Sequence, residues 1–175
     1  MKKVLLFPVL MLFSCGLAAL YGAVHNQISY TVGPVYFHEL KFIQFRIDPE
    51  FHNRIGAAWV GVQASWWMGL VIGLPIYLPA LFIRGTAPFV RGFMRVSLLV
   101  VIITLLVGMA ALIYAELSFS QTRYPDGPWV QRVSDPLAFA KAGHMHNYSY
   151  LGGMIGLLVG VFLAIWFARQ SRKQN

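Results

Sequence analysis

The chain has 175 residues, of which 58% are hydrophobic and 11% charged, and it carries a net charge of +8. About a quarter of the residues in a soluble domain are charged, so this apolar excess is expected to lie in lipid, and no separate soluble domain is expected within these residues. The single cysteine, Cys15, excludes an internal disulfide and with it membrane thiol oxidoreductases that work through cysteine pairs.

The apolar residues fall in four charge-free runs, which predict transmembrane helices over 4–24, 57–83, 96–115 and 148–168. About 20 residues at about 1.5 Å each cross the roughly 30 Å hydrocarbon core, and a helix satisfies its own backbone there. The expected fold is therefore all-α: a four-helix transmembrane bundle forming one membrane domain, with two outer loops of roughly 30 residues.

In the first span, Leu12-Phe13-Ser14-Cys15 also reads as a lipoprotein cleavage box after a signal segment 1–14. Phe13 fits that box poorly and the apolar run continues to Val24, so a retained span with Cys15 as a small packing residue is the preferred reading. The loop after it, ISYTVGPVYFHELKFIQFRI, is too aromatic for a solvated linker. Tyr30, Tyr36, Phe37, Phe42 and Phe45 are expected to lie at the headgroup level or across the helix tops, and helix and strand periods both fit in part.

Asp48-Pro49 and Asp135-Pro136 pair a capping residue with proline at a first helical position. The first is expected to launch helix two early. The second is expected to start a short interfacial helix over 137–142, stopped by Gly143. Pro75 and Pro79 are expected to loosen the inner end of helix two, and 124–128 reads as a turn.

Within the spans, small residues recur at every fourth position: Gly61, Ser65, Gly69 and Gly73 in helix two, and Gly152, Gly156 and Gly160 in helix four. Such faces let backbones approach closely and gain dispersion contacts, so helices two and four are expected to pack on each other through them, with a homo-oligomer interface or a lipid groove as the alternatives. Trp66 and Trp67 fall well inside helix two, where their indole N–H groups need acceptors; packing, or a pigment, quinone or lipid slot, accounts for them. Almost no ionisable side chain lies deep in a span, which disfavours pumps and proton-coupled transporters.

Charge distribution orients the chain. All acids lie in 39–50 or 116–135, balanced by Lys41, Arg46, Arg54, Arg123, Arg132 and Lys141. The surplus is Lys2, Lys3, Arg84, Arg91, Arg95, Arg169, Arg172 and Lys173, in short segments without acids. Such segments stay cytoplasmic, which predicts both termini inside and two neutral loops outside; this accounts for the positive charge without nucleic-acid binding.

All five histidines then fall on the outer side, three of them followed by asparagine (His25-Asn26, His52-Asn53 and His146-Asn147). Imidazoles converging on one surface suit copper, zinc or haem iron, with His25, His52, His144 and His146 as candidate ligands and His38 in reserve. Capping and interfacial roles explain the same residues without a metal. No Ser/His/Asp arrangement, phosphate loop or dinucleotide glycine pattern is visible.

At HNQISYTVGPVYFHELKFIQF, ASWWMGLVIG and GHMHNYSYLGG the chain resembles small polytopic bacterial membrane proteins of uncharacterised activity. The resemblance covers both outer boundaries and two of the four helices. It implies a bacterial plasma (inner) membrane protein and carries no activity or cofactor. The functional expectation is a non-catalytic accessory or assembly component that meets a membrane-protein partner, or a second copy, through its outer loops; the alternatives are an outer-face metal or haem protein and a small passive transporter or lipid-binding protein.

Overall fold

The computed structural model describes residues 2–125, 127 and 130–173. Among these residues the chain is helical, with no strand and one isolated bridge between Ser120 and Arg123. Helices α1 (Lys2–Leu5) and α2 (Phe7–Val32) run on from each other. Then come α3 (Pro34–Tyr36), a π-helical turn Phe37–Lys41, α4 (Phe42–Gln44) and a 3-10 turn Pro49–Phe51. Helices α5 (Arg54–Ser65), α6 (Met68–Ala80), α7 (Thr86–Ser118) and α8 (Pro136–Lys173) complete the chain, with a 3-10 turn Val130–Arg132 before α8.

Three helices are long and apolar enough to cross a membrane: Lys3–Val32, α7 and α8. A fourth candidate arises if α5 and α6, bent by 41° at their junction, form one broken span. Large apolar side chains point outward along them, such as Leu158 at 71% and Leu106 at 63% exposed, the pattern of a surface that meets acyl chains.

Several sequence expectations change here. Asp48 caps only the 3-10 turn, accepting from the Glu50 N–H, and helix two starts later, at Asn53, whose side chain accepts from the N–H groups of Ile55 and Gly56. The break in helix two lies at Trp66-Trp67 and not at the prolines: the Gly69 N–H reaches only back to Trp66 O and the Leu70 N–H to Trp67 O, a local 3-10 tightening that turns the axis. Pro75 and Pro79 lie within α6, which ends at Ala80, one residue past Pro79, in a tighter turn where the Phe82 N–H reaches back to Pro79 O. Gly143 does not stop the interfacial segment, because α8 runs unbroken from Pro136, with Asp135 Oδ1 accepting from the Ala138 N–H as its cap. At about 1.5 Å per residue, the 38 residues of α8 are longer than a hydrocarbon core is thick. The helices consume part of both loops, leaving 33–53 and 119–135, shorter than expected. Of the expected turn at 124–128, Asp126 and Pro128 lie outside the described residues.

The small faces are used, but with other partners than expected. The glycines of α5 and α6 receive α2: a Cβ on Gly61 would overlap the Gly22 carbonyl and stand 2.7 Å from Ala23 N, and one on Gly69 would stand 2.5 Å from Cys15 Cα. The glycines of α8 receive α7, Gly152 against Thr104 and Gly156 against Val100, each with a Cβ approach of 2.9 Å. Helices two and four still touch, at Gly160 and Ile76, but each small face mainly serves the helix that precedes it in sequence, across the longer segments 33–53 and 119–135.

Two packed clusters result. One, at the end where Lys3, Arg84 and Ser171 meet, gathers Leu10, Met11, Ile76, Phe89, Phe93 and Ala164 among others. The other lies under the first loop, where Tyr36, Phe37 and Phe42 are buried against Ala57, Val60 and Phe139. The aromatic loop is thus helical and covers the helix tops. Gly33 lets it approach α8, since a Cβ there would stand 2.5 Å from Ala138 O.

Candidate functional site

Between the two clusters α2, α5, α6, α7 and α8 enclose a cavity of about 110 Å³. Its lower walls are apolar (Ala18, Met68, Ile72, Val100), and its upper end carries Tyr21, His25, Asn26, His146 and Ser149. Tyr150 also lines it and is 59% exposed on α8, so the cavity reaches the outer face of that helix. A smaller space of about 40 Å³ shares Ala18, Met68, Ile72 and Val100 and continues the cavity toward Ser14 and Ser97.

The polar end is ordered by one line of hydrogen bonds. Asn26 Nδ2 donates to Ala57 O at 2.9 Å, which leaves Asn26 Oδ1 as an acceptor 3.3 Å from His25 Nδ1. His25 therefore carries its proton on Nδ1, and its Nε2 accepts from the Ser149 hydroxyl at 2.9 Å. The Met145 carbonyl, also 2.9 Å from Ser149 Oγ, competes for the same proton. Either way the lone pairs of Ser149 Oγ remain acceptors. Ser29 Oγ stands 3.3 Å from both His25 O and His146 Nε2, and the two imidazoles meet edge to face at 4.5 Å.

Three hydroxyls around this space, those of Ser14, Tyr21 and Ser97, are buried with no hydrogen-bond partner. The Tyr21 hydroxyl lies toward Ser149 but falls short of hydrogen-bond geometry with it. A buried hydroxyl left unpaired costs about 1–3 kcal/mol, so these three mark where a hydrogen-bonding partner would be gained. No Asp, Glu, Lys or Arg lines either space. The arrangement offers a donor (Tyr21), an acceptor (Ser149) and apolar walls, which suits an uncharged, oxygen-bearing molecule.

The histidines do not converge as the sequence suggested. His25 and His146 face each other in the interior, and His38, exposed on the first loop, stands 6.0 Å from His52 between ring centroids; there His52 stacks on Phe42 at 4.6 Å and Tyr30 Oη is 3.0 Å from His38 Nε2. His144, two residues before His146, projects from another side of α8 and stacks between Tyr114 and Tyr148. Among the described residues no group of three or more His, Cys, Asp or Glu side chains is placed to hold a metal ion. His25 is also not at a helix exit: α2 continues to Val32, and His25 and Asn26 are both buried.

The two tryptophans leave the interior as well. Trp66 and Trp67 are 49% and 45% exposed at the break and line no part of the cavity, since successive helical residues point about 100° apart and both cannot face inward. Tyr21 and Ser149, the hydroxyls at the polar end of the cavity, carry no motif that would mark them as a site. The available signal was the small set of polar side chains within or beside apolar runs.

Outside the spans, burial pushes the Tyr36 phenol upward and holds the Lys41 ammonium below the usual lysine range. Lys41 Nζ donates to Gln44 Oε1 at 2.9 Å and lies 5.4 Å over the Tyr36 ring. The loops are tied together where Glu39 accepts from the Ser134 N–H at 3.1 Å and from its hydroxyl. Compared with known proteins, the chain matches no family model, no curated protein and no solved structure.

Proposed function

We propose that this chain is a four-span protein of the bacterial plasma membrane that binds a small, uncharged, lipid-soluble molecule in the cavity between its helices. Both termini and the connection at 81–85 face the cytoplasm in this reading. The observation that carries it is the pairing of an unpartnered Tyr21 hydroxyl with apolar walls and no formal charge, in a space that reaches the outer face of α8 at Tyr150. Water alone would not call for walls of Met68, Ile72 and Val100. The topology is supported by the gathering of Lys3, Arg84, Arg91, Arg95, Arg169 and Arg172 away from every described acid.

Gly153 supplies the test, because a Cβ there meets nothing closer than Ile72 Cδ1 at 4.0 Å and a longer side chain extends into the cavity. Protein purified in mild detergent is extracted with organic solvent and the small neutral compounds in the extract are measured by mass spectrometry. One such compound at near one per chain, lost in Gly153→Leu, is the expected result. Equal content in both proteins, or none in either, overturns the reading. Reporter fusions after Arg84 and after Lys173 should both read as cytoplasmic, and an outside signal at either overturns the orientation.

An accessory role through the outer loops is the second reading. It is favoured by Ile43 and Phe51, exposed at 67% and 48% on the first loop. It is weakened because Tyr36, Phe37 and Phe42 are spent on internal packing. Co-purification of one stoichiometric partner, lost in Ile43→Asp, would favour it.

A further inference from the structure

The start of α7 carries Pro88, Arg91, Gly92 and Arg95 at spacings of three and four, which put them on one face of the helix. That face looks across to the end of α8 over an open pocket of about 320 Å³. Its floor is apolar and close: a Cβ on the buried Gly92 would stand 3.0 Å from Ile83 Cδ1 and 3.8 Å from Phe167 Cδ2. Its far wall is fixed, because Ser171 Oγ accepts from the Arg84 N–H at 3.0 Å and donates to Ala168 O at 2.8 Å. Gln170 lines the pocket beside it, and the exposed guanidiniums of Arg91 and Arg95 form the rim.

No acidic side chain among the described residues pairs with Arg91 or Arg95; the ion pair between Lys141 and Glu116 is at the opposite end of the helices. Among the described residues nothing supplies their counter-charge. Depth narrows the choice. Arg95 immediately precedes the charge-free stretch 96–115, so the pocket falls where hydrocarbon gives way to headgroups. Guanidinium pairs bind phosphate oxygens through parallel N–H groups, and two one helical turn apart can share a phosphodiester. A free phosphate gains nothing from Ile83, Pro88 and Phe167, whereas a glycerol ester and its first methylenes do.

We infer that this pocket binds an anionic glycerophospholipid, its phosphate between Arg91 and Arg95 and its glycerol backbone over Gly92 against Phe167. The site is independent of the cavity near His25. It draws on the charge-free stretch that begins after Arg95 and on the pocket's own lining. An anchored lipid here would hold the α6–α7 connection to the tip of α8 and make the stability of that end depend on membrane composition.

The test uses the full chain in detergent, titrated with phosphatidylglycerol or phosphatidylcholine and read by native mass spectrometry. Phosphatidylglycerol should bind in preference. The double variant R91Q/R95Q should weaken it by about 25-fold, at about fivefold for each basic side chain beside an anionic headgroup. The double variant R169Q/R172Q removes the same charge outside the pocket and should change binding by less than about threefold if general surface charge is not the cause. Equal binding of the two lipids overturns the proposal. So does an equal loss in both double variants, which would show a diffuse charge effect. Displacement of the lipid by inorganic phosphate at comparable concentration would identify a soluble-anion site instead and also overturn it. A retained thermal transition in each variant shows that the fold is intact, and phosphatidylglycerol binding that stays at the wild-type level in R91Q/R95Q likewise refutes the assignment.

Discussion

Adding one methyl group at Gly61 should separate α2 from α5, and a matched alanine at Gly16 isolates that steric cost. At Gly61 the new Cβ would overlap the Gly22 carbonyl and approach Ala23 N at 2.7 Å, and backbone atoms of a packed helix cannot swing aside as a side-chain tip can. At Gly16 in α2 the same Cβ meets nothing within 4 Å. Both changes share the gain from replacing glycine in a helix, up to about 1 kcal/mol. The difference between the two variants therefore reports overpacking alone, which costs about 1–3 kcal/mol. Reversible unfolding in mixed detergent–SDS micelles, followed by far-UV circular dichroism, gives both values. Gly61→Ala should lie below Gly16→Ala by that amount, and Gly22→Ala, which faces the same contact from the other helix, should resemble Gly61→Ala. A gap under about 0.5 kcal/mol, the size of an ordinary surface substitution, would show that α2 does not pack on this face.

Asn53→Ala removes the acceptor for two N–H groups at the start of α5 and should cost about 1 kcal/mol in the same assay, with Asn53→Asp retaining most of it. Glu116→Gln breaks the 2.6 Å pair with Lys141, but Glu116 is 47% exposed, so the loss should stay below about 1 kcal/mol and shrink with added salt. Lys41 gives a pH signature. Its folded value lies below its unfolded one, so the unfolded chain binds the extra proton between the two, and stability should rise with pH across that window up to the usual lysine range. Tyr36, shifted upward, works in the opposite sense, with stability lost as pH rises past the usual tyrosine range; comparing the alkaline profiles of the wild type and Lys41→Met isolates the lysine contribution. A Lys41→Met profile as steep as the wild type would refute this assignment.

The amino-acid order alone determined that the chain is helical and that several of its helices are long and apolar enough to cross a membrane, because charge-free runs of about 20 residues have few other folded states. It also determined where charge collects, since Arg95 and Arg169 abut their apolar runs whatever the packing. Helix limits were only partly legible. Asp48-Pro49 and Asp135-Pro136 both form caps, yet one opens a three-residue turn and the other a 38-residue helix, and that difference rests on the residues C-terminal to each pair and not on the pair itself. The small faces could be read, but not their partners: a groove of Gly61 and Gly69 accepts any smooth helix, and it is α2, which brings its own Gly22 to the contact, that docks there. Tertiary structure alone decided the candidate site. Tyr21, His25 and Ser149 share no motif, Ser149 is far from the other two in the chain, and only the approach of α2 to α8 brings an imidazole within hydrogen-bond reach of a hydroxyl at the head of an apolar cavity. The same geometry dispersed the histidines, because residues two apart on α8 face different neighbours while residues on facing helices meet.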